Sequence, residues 1–205
     1  MSDPLTSSTP TSSTSFGPSA LLTPANAITI ARLLLTPVWL VVVVARGPSW
    51  PSFLLGFVLA ATDGVDGYIA RRQGTTRSGA FLDPLADKFL VVGGLVALVV
   101  ADAFWWLPVA IVTFRELAIS AYRSWVAKRG ISVPARYWAK VKTVVQEVAI
   151  GLALLPLTAR VPMLAKAVLW LGVVLAVVTG TQYLLDGRKA QARAQGLGER
   201  EPHAG

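Results

Sequence analysis

The stretch ATDGVDGYIARRQGTTRSGAFLDPLAD, residues 61–87, places four aspartates in sequence that is otherwise apolar enough for a bilayer. A bare carboxylate at membrane depth costs on the order of 3 kcal/mol or more, so such residues usually have a function. Asp63 and Asp66 are three residues apart, and Asp83 and Asp87 are four apart. On a helix, either spacing places both carboxylates on one face.

Four carboxylates that converge from two helices repel one another unless a positive charge lies between them. One or two hard divalent cations are the simplest candidates, because these ions prefer oxygen ligands. The structural alternative is that Asp83, which precedes Pro84, is the N-cap of the third helix. Capping does not explain Asp87 one turn later or the pair at Asp63 and Asp66. The pattern therefore predicts a metal site.

The composition limits the class of protein. The chain has 205 residues, is 54% hydrophobic and carries a formal net charge of +8. It contains no cysteine, which excludes disulfides, thiolate catalysis and zinc–thiolate sites. Its basic residues fall in short connections between apolar runs, a pattern that favours anionic lipid or a phosphorylated substrate over nucleic acid.

Six apolar segments, most near the ~20 residues that a membrane span requires, predict an all-α integral membrane protein with six transmembrane helices in a bundle. The segments are residues 28–45, 53–69, 85–101, 105–126, 139–157 and 161–185. We expect a disordered Ser/Thr/Pro-rich tail over residues 1–20, a membrane catalytic domain over 21–186 and a polar cytosolic tail over 187–205.

The distribution of lysine and arginine predicts the orientation, because cytosolic connections carry the excess of these residues. On one side lie Arg71, Arg72, Arg77, Lys128, Arg129, Arg136, Arg188, Lys189, Arg193 and Arg200. The opposite connections hold only Arg46 and Arg160. Both termini and the aspartates are therefore expected on the cytosolic side of the plasma or inner membrane.

Small and basic residues accompany the acids. Gly67 and Ala70 allow a ligand or a helix to approach the backbone closely, and Arg71 lies where it could pair with phosphate oxygens. Metal ions in a carboxylate cage beside an arginine are the arrangement expected for transfer of a phosphoryl-type group. A free carboxylate in such a site can take the proton of the nucleophile.

These residues resemble the signature of the CDP-alcohol phosphotransferase family. The signature is D-x-x-D-G-x-x-A-R, then a spacer, then G-x-x-x-D-x-x-x-D, where x is any residue. The matching positions are Asp63, Asp66, Gly67, Ala70, Arg71, Gly79, Asp83 and Asp87. The resemblance implies two Mg²⁺ ions, with Mn²⁺ as an alternative, bound by Asp63, Asp66 and Asp83. Asp87 contributes to this set and is the implied base.

The resemblance also implies substrates and further site residues. Gly67, Ala70, Arg71 and Gly79 would shape the pocket for cytidine and pyrophosphate. The stretch from Asn26 to Arg32 is similar to the start of the first span in the family. Phe114-Arg115-Glu116-Leu117, Arg123 and Ala139-Lys140-Val141-Lys142-Thr143 are similar to the branch that makes phosphatidylglycerophosphate and CMP from CDP-diacylglycerol and glycerol 3-phosphate.

An acceptor that is a dianion needs cations which the aspartates cannot provide. The candidates for binding the acceptor phosphate are Arg115, Arg123, Lys140 and Lys142. Their alternative role is to anchor the helices by reaching to lipid headgroups. A charged Arg115–Glu116 pair within a span is expensive unless both side chains face the interior of the bundle.

Other functions remain open at the level of sequence. Within the family, the acceptor could be phosphatidylglycerol, as in a cardiolipin synthase, or inositol phosphate, as in a phosphatidylinositol phosphate synthase. Outside it, the same carboxylates could belong to a divalent-cation transporter, although the acids cluster at one cytosolic mouth instead of being spread over several spans. The resemblance further implies a homodimer among membrane lipids.

Overall fold

Six helices and no strand make up residues 24–73, 77–128 and 137–198, the part of the chain that this computed structural model describes. The helices are α1 (Pro24–Arg46), α2 (Trp50–Gln73), α3 (Arg77–Val100), α4 (Trp106–Lys128), α5 (Tyr137–Leu154) and α6 (Pro162–Gly198). Each corresponds to one predicted apolar segment, so the all-α prediction is confirmed over these residues. The predicted tail at residues 1–20 lies outside them.

Two helices extend well beyond their apolar segments at the ends that carry the aspartates. α2 continues to Gln73, and α3 begins at Arg77, so Asp83 and Pro84 lie inside α3. The interpretation of Asp83 as an N-cap is therefore wrong, because the helix starts well before it. The Asp83 carboxylate instead accepts a hydrogen bond from Thr29 on α1. α6 likewise continues through polar sequence to Gly198.

The surface of the bundle is unusually apolar. Leu34, Phe57, Phe114 and Met163 are each more than 60% exposed, and many other large hydrophobic side chains are also exposed. Soluble monomers rarely expose apolar patches of this extent. Two helical stretches, Asn26–Arg46 and Pro162–Arg188, are long and apolar enough to cross a membrane.

One end of the bundle, which we call the apolar half, holds the hydrophobic core. Its fully buried side chains are Trp39 and Val43 of α1, Leu59 of α2, Leu95 and Leu98 of α3, Val112 of α4, Leu154 of α5 and Leu169 of α6. The Trp39 indole donates a 2.9 Å hydrogen bond to the Ser52 carbonyl oxygen. A Cβ atom on Gly94 would lie 2.6 Å from Trp39, so only glycine allows α3 to approach the indole this closely.

The polar half of the bundle buries hydrogen-bonding and charged groups. These are Asn26, Thr29, Arg32 and Thr36 of α1, Glu116 of α4, Lys142 and Gln146 of α5, and Thr179 of α6. Burial of charge is costly unless each group is paired, so the partners of these residues indicate what this half is for.

Candidate active site

A buried arginine lies between two of the predicted metal ligands. The Arg32 side chain is 0% exposed, and its Nη1 donates to Asp63 Oδ1 at 2.7 Å and to Asp87 Oδ1 at 3.1 Å. The two aspartates come from α2 and α3, yet both contact the same nitrogen atom. The structure thus brings Asp63 and Asp87 together and shows that the site accommodates a positive charge.

Asp83 of α3 contacts the same face of α1. Thr29 Oγ1 donates to Asp83 Oδ1 at 3.0 Å, and Thr29 is three residues before Arg32, so both side chains point toward the acids. Neither Thr29 nor Arg32 belongs to the spacing pattern of the acids, so the sequence alone gave neither residue a role. An arginine within an apolar segment was the available signal, because such a charge normally has a partner and a function.

The side chains of five predicted site residues are not among those that the structure describes. Asp66, Gly67, Ala70 and Arg71 lie on the last turns of α2, and Gly79 lies on the first turn of α3. Their roles stay predictions. Among the acids whose side chains are described, no three lie close enough together to hold a metal ion. Asp66 is not one of the acids with a described side chain.

A cavity of about 210 Å³, which we call the acceptor cavity, lies beside the aspartates between α3, α4, α5 and α6. Its charged lining consists of Asp87, Lys88, Arg115, Glu116, Arg123, Lys142 and Asp186. Three of the four predicted acceptor-binding cations therefore share one cavity with the predicted base. The fourth, Lys140, is exposed and does not line it.

Glu116 holds two of the cations in place. Arg115 Nη1 donates to Glu116 Oε1 at 2.9 Å, and Lys142 Nζ donates to the same oxygen. Arg115 also donates to the Ala176 carbonyl oxygen and to Thr179 Oγ1 on α6, each at 2.9 Å. Arg115 and Glu116 both face the interior of the bundle, the condition under which a charged pair is tolerated within a span. Because one carboxylate serves two cations, this group keeps a net positive charge for an anion.

Two further charged residues were missed by the sequence analysis. Lys88 follows Asp87 directly, lines the acceptor cavity and donates to Ser120 Oγ on α4. Glu147 on α5 is half-buried and close enough to Asp63 and Arg32 to interact with them electrostatically. Neither belongs to a spacing pattern, so only the packing of α3, α4 and α5 reveals them.

An apolar groove of about 420 Å³ lies between α2 and α5. Phe53, Phe57, Leu90 and Val148 are among its lining residues, and Glu147 supplies an acidic group. Because Glu147 also interacts with Asp63, the groove adjoins the aspartates, and Val91 lines both the groove and the acceptor cavity. The site therefore combines acids, an anion-binding cavity and an apolar surface.

Comparison with known proteins gives one family. A family model described as CDP-alcohol phosphatidyltransferase matches residues 22–178. A Mycobacterium tuberculosis H37Rv protein named "Probable phosphatidylglycerophosphate synthase" is 39% identical over 170 residues, 78% of this chain and 79% of its own length. Two proteins named "CDP-diacylglycerol--glycerol-3-phosphate 3-phosphatidyltransferase" are also similar. The protein of Haemophilus influenzae is 36% identical over 164 residues, which are 77% of this chain and 89% of that protein. The protein of Escherichia coli K12 is 38% identical over 169 residues, which are 78% of this chain and 92% of that protein.

Proposed function

Since this chain belongs to the CDP-alcohol phosphatidyltransferase family, we propose that it transfers the phosphatidyl group of CDP-diacylglycerol to glycerol 3-phosphate. The products are phosphatidylglycerophosphate and CMP. The relatives that match over most of this chain carry names with this activity. The chain is accordingly an enzyme of the phosphatidyltransferase class.

The observation that carries the proposal is the lining of the acceptor cavity. Asp87, the predicted base, shares that cavity with Lys88, Arg115, Arg123 and Lys142. The four basic side chains outnumber the three carboxylates of the lining, Asp87, Glu116 and Asp186, and so leave a net positive charge for a phosphate dianion. Charge-assisted hydrogen bonds to phosphate are roughly twice as strong as neutral ones. An acceptor whose phosphate binds these cations can present a hydroxyl group to Asp87. The short glycerol chain fits a cavity of about 210 Å³.

The aspartates fit divalent cations in their chemistry. Carboxylate oxygens are the ligands that Mg²⁺ prefers, and Asp63 and Asp87, from different helices, lie close enough to share one cationic group, the Arg32 guanidinium. We propose that Asp63, Asp66, Asp83 and Asp87 hold two Mg²⁺, with Mn²⁺ as the alternative. When bound, the ions would polarise the phosphoryl oxygens and offset their charge.

Magnesium should therefore stabilise the protein in detergent. Binding at a hundredfold excess over the dissociation constant raises the free energy of unfolding by about 2.7 kcal/mol. Asp66→Asn should lose most of this stabilisation, measured as the shift in melting temperature with added Mg²⁺. Asp102→Asn, in the exposed turn between α3 and α4, is the matched control. An unchanged Mg²⁺ response in Asp66→Asn would contradict a role as ligand.

The chain's own residues then perform the transfer. Asp87 takes the proton of the 1-hydroxyl of glycerol 3-phosphate, and the resulting oxygen attacks the phosphorus that bears diacylglycerol. The bond from that phosphorus to the CMP oxygen breaks, and CMP leaves. Arg115 and Lys142, held by Glu116, position the acceptor phosphate. Gly67, Ala70, Arg71 and Gly79 shape the nucleotide pocket in this proposal.

The lipid donor and the membrane fit the apolar surfaces. The groove between α2 and α5 adjoins Asp63 and offers a path for an acyl chain. The helices have 18–37 residues, which at ~1.5 Å per residue is close to the ~30 Å of a bilayer core or longer. We propose six spans with both termini and the acids in the cytosol. The exposed apolar faces would contact lipid and the second subunit of a homodimer.

Product analysis tests the proposal. Purified protein is supplied with Mg²⁺, CDP-diacylglycerol and, in parallel, glycerol 3-phosphate, inositol phosphate, serine or phosphatidylglycerol. The expected result is CMP release and phosphatidylglycerophosphate with the first acceptor alone, both abolished by EDTA. A lipid formed from inositol phosphate or phosphatidylglycerol would assign the chain to another branch of the family. Divalent-cation uptake into proteoliposomes without CMP release would favour a transporter.

A further inference from the structure

Gln146 is a buried polar side chain of the acceptor cavity, and the proposed mechanism does not use it. The residue is 1% exposed and lines the cavity together with Asp87 and Lys142. Its Nε2 atom has no hydrogen-bond partner among the residues that the structure describes. A buried polar group without a partner costs about 1–3 kcal/mol, so a ligand that supplies the partner regains that energy.

Neighbouring helices fix where this amide lies. A Cβ atom on Gly172 of α6 would lie 3.2 Å from Gln146 Cγ, so the glycine lets the glutamine stem rest against α6. Lys142 is four residues earlier on α5, and side chains at this spacing share one face with their Cβ atoms about 5–6 Å apart. The amide therefore lies one turn from a cation that faces the acceptor phosphate.

The charged groups of the cavity are already engaged, Asp186 in an interaction of its own. In the proposed function, the basic side chains bind the acceptor phosphate, and Asp87 receives the proton of the terminal hydroxyl. Glu116 is engaged by Arg115 and Lys142. Among the neutral polar side chains of the lining, Gln146 is the one with a buried atom that lacks a partner among the described residues, which makes it the candidate to bind the secondary hydroxyl of glycerol 3-phosphate. An amide both donates and accepts hydrogen bonds, as a hydroxyl does, and so matches it.

We propose that the Gln146 amide hydrogen-bonds the 2-hydroxyl of the acceptor and thereby selects acceptors that carry this group. The inference rests on the proposed function and adds a specificity-determining residue to it. A site built to bond a substrate hydroxyl rejects the analogue that lacks it, because the polar group of the site is then left buried and unpaired.

Acceptor analogues test this assignment. The wild-type enzyme and Gln146→Met are compared in kcat/KM with glycerol 3-phosphate and with 3-hydroxypropyl phosphate, which lacks the 2-hydroxyl. Methionine keeps the unbranched shape without the amide. The wild type should prefer glycerol 3-phosphate by about 10–100-fold. Gln146→Met should reduce this preference to within about threefold, chiefly by losing activity with glycerol 3-phosphate.

Thr113→Val is the matched control, because Thr113 Oγ1 is also buried without a partner among the described residues but does not line the cavity. Its preference should equal that of the wild type. If Gln146→Met does not fold, Gln146→Asn keeps the amide but withdraws it by one methylene, and should also reduce the preference.

The inference is wrong if the wild type uses both acceptors equally, or if Gln146→Met keeps the wild-type preference. An equal loss with both acceptors would also overturn it, because the amide would then act on the phosphate or on the fold. These outcomes differ from failure of the proposed function, in which the wild type makes no phosphatidylglycerophosphate at all.

Discussion

The two halves of the helix bundle bury different kinds of groups. In the apolar half, Trp39 and its neighbours fill the space between helices with hydrocarbon, whereas in the polar half Arg32, Glu116 and Lys142 are buried with their charges. Hydrophobic packing is non-directional, but a buried charge is tolerated only where a partner lies at the correct distance. The apolar half therefore stabilises the fold, whereas the polar half holds a defined arrangement of charges at a cost in folding free energy.

The largest effect expected from the difference between the two halves is a variant that loses catalytic activity but keeps its fold. Asp87→Asn removes the proposed base and should lower CMP release by about 1,000-fold or more, within the usual range for general-base catalysis. The melting temperature in detergent should stay near that of the wild type, because Arg32 keeps its bond to Asp63. Near-normal turnover would exclude Asp87 as the base.

The next effect should appear in stability within the polar half. Arg32→Met leaves Asp63 and Asp87 without their shared cation and should lower the free energy of unfolding in metal-free detergent by about 1.5–3 kcal/mol, the range for hydrogen bonds to charged groups, because both carboxylates stay partly exposed. Added Mg²⁺ should restore part of the loss, because the ions replace the missing charge. Arg160→Met, at an exposed position near the start of α6, is the control and should change little. Equal stability of the two variants would mean that Arg32 does not hold the acids.

In the apolar half, a substitution should lower stability without changing the binding of the acceptor. Gly94→Ala places a methyl group against Trp39 and should cost about 1–3 kcal/mol of unfolding free energy, as overpacked cores do. Below the melting temperature, the KM for glycerol 3-phosphate should be unchanged. Gly64→Ala has nothing within 4 Å of the added Cβ and serves as the control. A raised KM in Gly94→Ala would show that the halves are coupled.

The smallest effect separates two lysines on α5. Lys142→Met removes a cation of the acceptor cavity and should raise the KM for glycerol 3-phosphate by about tenfold, the equivalent of one charged hydrogen bond. Lys140→Met is the matched control, since this lysine is exposed and lies outside the cavity. Steady-state kinetics with saturating lipid donor measure both. A larger change from Lys140→Met would place the acceptor elsewhere.

Part of the site was predictable because its pattern is local. The spacing of Asp63 with Asp66 and of Asp83 with Asp87 depends only on the geometry of a single helix, and the apolar segments depend only on composition. The N-cap interpretation of Asp83 failed because the start of α3 is not marked by hydropathy: the polar residues from Arg77 onward are helical as well.

Lys140 and Lys142 show where sequence reasoning stops. Both appear in one motif, yet two residues along a helix point in widely different directions, and only Lys142 lines the cavity. Which of them faces inward depends on how α5 packs against α4 and α6. Gln146 was missed for the same reason, since a glutamine in an apolar segment carries no signal of its own.

By itself, the sequence determined the helical class, the positions of the six segments and the acidic signature, because each depends on residues close together in the chain. Only the tertiary structure placed Arg32 between Asp63 and Asp87 and joined Asp87 to Lys88, Arg115 and Lys142 around one cavity. These contacts join residues on different helices, and burial of charge selects the packing in which each one finds its partner.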